Sequence, residues 1–227
     1  ALIPGPTGTG KSVNTAEMLT YELPEEYQTL VMTFSAQTSA NQTQDYLDGM
    51  FDKRRKGVYG PPVGKKLIIF VDDLNMPMLE EYGAQPPIEL LRQWMDHGGW
   101  YDVKERQFRN VVDIQFISAM GPPGGGRNVV TDRFLRHFAQ ISVTPFDDKT
   151  LSLIFTTILN WHFKTKEFPD EICKLTEPLI AATKDVYNML RSTLLPTPSR
   201  SHYTFNLRDM SAVFAGVLLS TKDNFDS

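Results

Sequence analysis

The chain has 227 residues, with 23 basic and 27 acidic side chains and a formal net charge of -4. That length holds one large domain, or a core domain with a smaller companion, and is ample for a buried core. The acidic balance gives no strongly basic face and argues against a nucleic-acid partner; the single Cys173 excludes an intrachain disulfide and fits a reducing compartment; no apolar run reaches membrane-spanning length, so no membrane partner is expected.

Residues 1–3 read as a short strand, followed at once by Gly5-Pro6-Thr7-Gly8-Thr9-Gly10-Lys11-Ser12. This is the spacing of a phosphate-binding loop. Its glycines let backbone N–H groups curl around phosphate oxygens without a Cβ clash. Lys11 adds positive charge at the terminal phosphates, and the Ser12 hydroxyl can ligand Mg²⁺. The helix expected over 12–23, which carries Val13 in its first turn, points its positive dipole end at the same phosphates. The loop lies five residues from a start that is not Met, so the chain reads as a fragment of a longer polypeptide.

Residues 29–34 read as a strand, and Ser39 as the cap of a helix reaching to about residue 52. Residues 53–66, rich in Gly and Pro, read as a loop or hairpin, with the basic run Lys53-Arg54-Arg55-Lys56 as a solvated stretch. Leu67-Ile68-Ile69-Phe70-Val71 is a continuous apolar run, the pattern of a strand buried on both faces. Pro86-Pro87 open a helix with Ile88, Leu91, Trp94 and Met95 on one face, and Gly98-Gly99 end it. A hairpin over 100–112 turns near Glu105-Arg106. Then come a strand at 113–120, a short helix at 132–137 and a last strand at 138–143. Alternating helices and strands predict a parallel sheet flanked by helices.

After Pro145 the pattern is helical only. Asp147 caps a helix bearing Leu151, Ile154, Phe155, Ile158 and Leu159. A second helix runs over about 169–191, kinked at Pro178. Residues 194–203 form a Pro/Ser loop. Asn206 caps a final helix with Met210, Val213, Phe214, Val217 and Leu218 inward. The expected organisation is an α/β nucleotide-binding core over 1–145 and a small all-helical lid over 146–227.

The buried strand ends in Asp72-Asp73. A hydrophobic strand that delivers a carboxylate beside a phosphate loop is the Walker B arrangement. Asp72 would hold Mg²⁺ through water, and the next position commonly carries the base that orients the attacking water.

An alternating α/β core followed by a helical lid is the outline of an AAA+ ATPase. The phosphate loop, Phe70-Val-Asp-Asp-Leu-Asn-Met-Pro77, Gly83-Ala-Gln-Pro-Pro-Ile-Glu-Leu-Leu-Arg-Gln-Trp94, Ala119-Met-Gly-Pro-Pro-Gly-Gly-Gly-Arg-Asn128 and Arg133-Phe-Leu-Arg-His137 resemble a dynein heavy chain of axonemal type. They are most similar to the third AAA+ module of its motor ring. The resemblance covers essentially the whole chain. It implies ATP or ADP with Mg²⁺ as cofactors, and neighbouring AAA+ modules and a linker of the same heavy chain as partners. Through other parts of the parent protein it implies intermediate and light chains and microtubules. The implied location is the cytoplasm and cytoskeleton, in the axoneme of a cilium or flagellum.

The resemblance also implies roles. Gly5 to Val13 would bind nucleotide, with Ser12 and Asp72 at the metal. Asp73 would be the base, standing where such ATPases usually carry Glu. Arg133 matches the arginine finger that reaches an adjacent module's nucleotide, with Arg136 as an alternative. Arg208 matches the lid arginine that contacts the γ-phosphate.

Two departures bear on turnover. Asp73 is one methylene short of Glu, and an angstrom-scale retreat of a base costs about two orders of magnitude in rate. Gly121 stands where the strand should deliver a polar residue, usually Asn, to orient water; Asn128 lies further along. The readings are therefore a slow ATPase module that regulates a motor, or a module that holds nucleotide without turnover. A clamp-loader-like protein on DNA is disfavoured by the acidic balance.

Overall fold

The computed structural model describes residues 1–195, 197, 200 and 203–222. It divides into two compact units, one of residues 1–6 and 10–143, the other of residues 7–9 and 144–227.

The first unit is built on four parallel strands: β1 (Leu2–Pro4), β2 (Tyr27–Thr33), β5 (Lys66–Asp72) and β8 (Ile114–Met120), in the order β1-β8-β5-β2. The apolar run of β5 lies at the centre for a physical reason. Alternate residues point to opposite faces, and here both faces are covered. Leu67, Ile69 and Val71 join a core with Leu47 of α2 (Ala40–Asp48) and Ile88 and Leu91 of α3 (Pro86–His97). Ile68 and Phe70 face the other way, against Leu19 of α1 (Lys11–Tyr21). Because the strands are parallel, the phosphate loop after β1, Asp72-Asp73 at the end of β5 and Gly121 after β8 all lie at the carboxyl edge of the sheet, where ligands of open α/β sheets bind.

A second, mixed sheet runs β3 (Asp52–Arg55), β4 (Val58–Gly60), β7 (Phe108–Val111), β6 (Gly99–Tyr101). The 53–66 stretch therefore begins as a hairpin turning at Gly57, whose φ is 72°. The basic run is not simply a solvated loop. Arg54 pairs with Asp113 and donates from Nη2 to the Pro61 carbonyl at 2.8 Å, so its aliphatic stem is half-buried. Trp100 of β6 is fully buried, and its indole N–H donates to Asp48 Oδ1 at 3.0 Å. Burial is the main cause that pushes the Asp48 carboxyl above the ordinary range, partly offset by that N–H and by Arg109.

The largest differences from the sequence expectation are three. The helix capped by Ser39 ends at Asp48 rather than near residue 52, because Gly49 stops it and Asp52 already pairs in β3. Residues 138–143 are not a regular strand. They follow β1 through Leu2 N–H to Ala139 O, Ile141 N–H to Leu2 O and Val143 N–H to Pro4 O, with one isolated bridge at Leu2 and Gln140.

The third difference lies in the helical unit. The expected helix over 169–191 is two helices, α6 (Asp170–Cys173) and α7 (Thr176–Thr193), broken at Lys174 and Leu175. Pro178 does not kink α7. It sits in the first turn, where backbone N–H groups have no intrahelical acceptor and a missing N–H costs nothing.

The helical unit packs α5 (Asp148–Thr165), α6, α7 and α8 (Leu207–Val217) around Leu151, Phe155, Leu159, Phe163, Ile180, Met210 and Phe214. Phe155 and Phe214 stack with ring centroids 4.2 Å apart. Asp147 and Asn206 cap α5 and α8 as expected. Ile158 and Val213, expected inward, are exposed at 37% and 54%. Each sits at the margin of its helix's apolar stripe, which is narrower than the sequence pattern. Part of the expected 194–203 loop, residues 196, 198, 199, 201 and 202, lies outside the described residues.

Candidate nucleotide site

The phosphate loop is shaped by its glycines. Gly8 and Gly10 have φ of 86° and 75°, backbone conformations that a Cβ disfavours. Gly5 is excluded from side chains by packing: a Cβ there would lie 2.5 Å from the Val143 carbonyl oxygen. Gly10 is the N-cap of α1 and supplies no side-chain hydrogen bond to the helix. The first-turn N–H groups of α1 are thus left for a ligand, and a phosphate suits them in charge and geometry. Val13 is 68% exposed in that first turn. Lys11 Nζ donates to the Pro6 carbonyl at 2.6 Å, so the ammonium is folded back along the loop that it would serve.

Two residues from different elements meet beside this loop. Ser12 Oγ, at the start of α1, donates to Asp72 Oδ1, at the end of β5, at 2.7 Å. The same carboxylate oxygen accepts the Asp73 N–H at 2.9 Å. A hydroxyl and a carboxylate converging at hydrogen-bond distance are an oxygen donor pair fit for Mg²⁺, which takes few protein ligands and relies on water and phosphate for the rest. Among the described residues no group of three or more His, Cys, Asp or Glu is arranged for a metal.

Asp73 differs from its neighbour. Its φ is 50°, in the left-handed region, and its side chain is 37% exposed. Its Oδ1 is bound to Arg127 Nη2 at 3.2 Å. Arg127 is a residue that sequence reasoning missed. It follows Gly124-Gly125-Gly126, all with positive φ, in a turn closed by hydrogen bonds between Gly124 and Arg127. The signal available in the sequence was a charged residue after three glycines near the end of a core strand.

Gly121 and Arg127 fit one another. A Cβ on Gly121 would lie 2.5 Å from Arg127 Nε and 2.7 Å from its Cδ. The arginine stem therefore occupies the space that a side chain at 121 would take. Asn75, buried at 1% exposure, braces the same segment: its Nδ2 donates to the Gly121 carbonyl at 2.9 Å, and its own carbonyl accepts the Asn128 N–H at 2.9 Å. Asn128 cannot stand in for the polar residue absent at 121, because its side-chain amide donates to the Pro77 carbonyl at 2.7 Å.

The two candidate finger arginines are in different states. Arg136 Nη2 donates to Asp96 Oδ1 of α3 at 2.6 Å, and Asp96 also pairs with Arg92 and His137. These partners, Arg136 first, hold the Asp96 carboxyl below the ordinary range. Arg133, on the short helix α4 (Asp132–Leu135), is exposed and makes no ion pair or side-chain hydrogen bond among the described residues. Arg208 is exposed in the first turn of α8, where its backbone N–H donates to the Asn206 cap.

Residues 1–146 match the family described as the P-loop containing dynein motor region, and residues 179–227 match the AAA+ lid domain. The chain is 56% identical over 227 residues to dynein axonemal heavy chain 1 of Homo sapiens, covering 95% of this chain and 5% of that protein. It is 52% identical to dynein axonemal heavy chain 12 of Mus musculus, covering 100% and 7%, and 53% identical to dynein axonemal heavy chain 3 of Mus musculus, covering 96% and 5%. The chain thus spans a small part of the length of these relatives. With a helix-flanked parallel sheet, a phosphate loop meeting Asp72 and a helical lid, the chain belongs to the P-loop dynein motor region family, as an AAA+ region of the axonemal dynein heavy-chain type.

Proposed function

We propose that this chain is the third AAA+ module of an axonemal dynein motor ring. In this reading it binds ATP or ADP with Mg²⁺ and turns ATP over slowly to regulate the motor. Residues 1–145 form the nucleotide core and 146–227 the lid. Its partners are the neighbouring modules and linker of one heavy chain, with microtubules and smaller chains engaged elsewhere on the parent protein in the axoneme.

The observation that carries the reading is the 2.7 Å contact between Ser12 and Asp72 beside a glycine-shaped loop. Gly5 to Val13 cradle the phosphates, Lys11 supplies charge, and Ser12 and Asp72 hold the metal. The metal, when bound, would neutralise charge between the terminal phosphates. Asp73 accepts the proton of the attacking water. Arg133 serves the preceding module's nucleotide; its exposure and its lack of a side-chain partner among the described residues favour it over Arg136. Arg208 reads the γ-phosphate, a role supported by resemblance alone.

A second reading, a module that holds nucleotide without turnover, is favoured by a specific observation. Gly121 offers no side chain to orient water, and the Asn128 amide is committed to the Pro77 carbonyl. Turnover of an intact ring whose other phosphate loops are silenced separates the two. In the slow-ATPase reading Asp73→Glu raises the rate and Asp73→Asn stops it without weakening ATP binding. A flat result across Asp, Glu and Asn establishes the binder.

A further inference from the structure

The molecule spends an arginine where the strand end has no side chain. Gly121 follows the last residue of β8, at the sheet edge that carries Asp72 and Asp73. Any Cβ at 121 collides with the Arg127 stem, at 2.5 Å from Nε. The guanidinium that passes over this glycine reaches Asp73 Oδ1 at 3.2 Å. Its Nε is buried without a hydrogen-bond partner among the described residues. A buried N–H left unpaired is costly, so the stem is held there by its packing and by the pair at its far end. Arg127 is also pinned from behind: the Gly124 turn closes on its backbone, and Asn128 is fastened to Asn75 and Pro77. The loop thus fixes the backbone that bears the guanidinium.

Asp73 has reason to need such a hold. Its left-handed φ of 50° is one that non-glycine residues adopt at some cost, and its side chain is short and more than a third exposed. A carboxylate on such a backbone samples several rotamers unless something holds it. Arg127 holds Oδ1, which leaves Oδ2 with a defined direction. A guanidinium is suited to this task, because its planar donors orient a carboxylate as a point charge does not.

We propose that Arg127 is a positioning residue for Asp73, supplied from the glycine loop in place of the side chain absent at Gly121. The proposal rests on the reading of Asp73 as the base of a working site. It makes Gly121 and Arg127 one functional pair: the glycine is required because the arginine passes over it.

The test uses an intact ring in which only this module's phosphate loop is functional. Arg127→Ala is expected to lower kcat at this site about tenfold or more, as loss of an orienting contact does, with KM for ATP and calorimetric ADP affinity within twofold of the parent. Arg127→Lys should restore only part of the rate, since an ammonium pairs with Asp73 but orients it poorly. Gly121→Ala, whose Cβ displaces the stem, should reproduce the Arg127→Ala loss. Added to Arg127→Ala it should cost nothing further, the non-additivity of two changes that act through one contact. Unchanged or raised kcat in Arg127→Ala overturns the proposal, as does full additivity of the two substitutions. A parent site that binds ADP and ATP but shows no turnover also overturns it, while leaving nucleotide binding intact. Failure to bind either nucleotide instead marks the failure of the underlying reading.

Discussion

Ser12, Asp72, Asp73 and Arg127 meet at the carboxyl edge of the sheet, whereas Arg136 is bound to Asp96 near the end of α3. Lys11, Ser12 and Asp72 announce themselves by motif and by strand hydrophobicity, and the contact between Ser12 and Asp72 at 2.7 Å follows from where the motif puts them. The finger reading of Arg133 comes from the resemblance and stands as a proposal. Arg136, the alternative for that role, is bound to Asp96. In an intact ring Arg133→Ala should slow hydrolysis at the preceding module's site by a factor of about 10³ or more, since a finger stabilises charge that develops during phosphoryl transfer. It should leave this module's own nucleotide affinity unchanged. Rates measured site by site, with the other loops silenced, check this; loss of this module's own nucleotide would refute the role. The pairing of Arg127 with Asp73 was not legible, although a charged residue after three glycines was visible. Its partner lies 54 positions away and its place depends on the absence of a Cβ at Gly121, neither of which leaves a periodic trace.

At the scale of the element, caps were more legible than lengths. Ser39 forms a capping box with Gln42, each side chain accepting the other's backbone N–H. Ser39→Ala should therefore cost about 1 kcal/mol, read as a lowered midpoint in urea denaturation. The hairpin turn between β6 and β7 is held by Asp102, which accepts the Glu105 and Lys104 N–H groups and pairs with Arg109. Those contacts, the Glu105 N–H first, hold its carboxyl below the ordinary value of 3.8. For a depressed carboxyl the stabilisation is complete above the unfolded value and is lost as pH falls through the folded one. The melting-temperature advantage of the parent over Asp102→Ala should be constant above that range and shrink below 3.8. An advantage that grows on acidification would contradict the account. Where length was misread, a long-range partner decided: α2 stops so that Asp52 can pair in β3, and the break before α7 lets Pro178 sit where no N–H is needed.

At the scale of the whole molecule, the change from alternating helices and strands to helices alone was visible in the sequence, because two-sided burial of β5 and one-sided stripes on α5 and α8 leave different apolar patterns. The second mixed sheet was half visible: its hairpins were expected, but the parallel pairing of β4 with β7 joins segments about fifty residues apart and has no local signature. The helical unit rests on the stacked pair Phe155 and Phe214. Phe214→Ala should cost about 3–5 kcal/mol, detectable as loss of the unit's cooperative unfolding.

The loop shaped by Gly5, Gly8 and Gly10 is proposed to bind nucleotide beside Asp72. That binding is tested most directly by calorimetry of the protein with ADP and ATP in Mg²⁺, beside Lys11→Ala. Saturable binding of both nucleotides by the parent is expected, with loss of most of that affinity in a variant whose circular dichroism and melting profile are unchanged. Equal affinity in the parent and Lys11→Ala would contradict it.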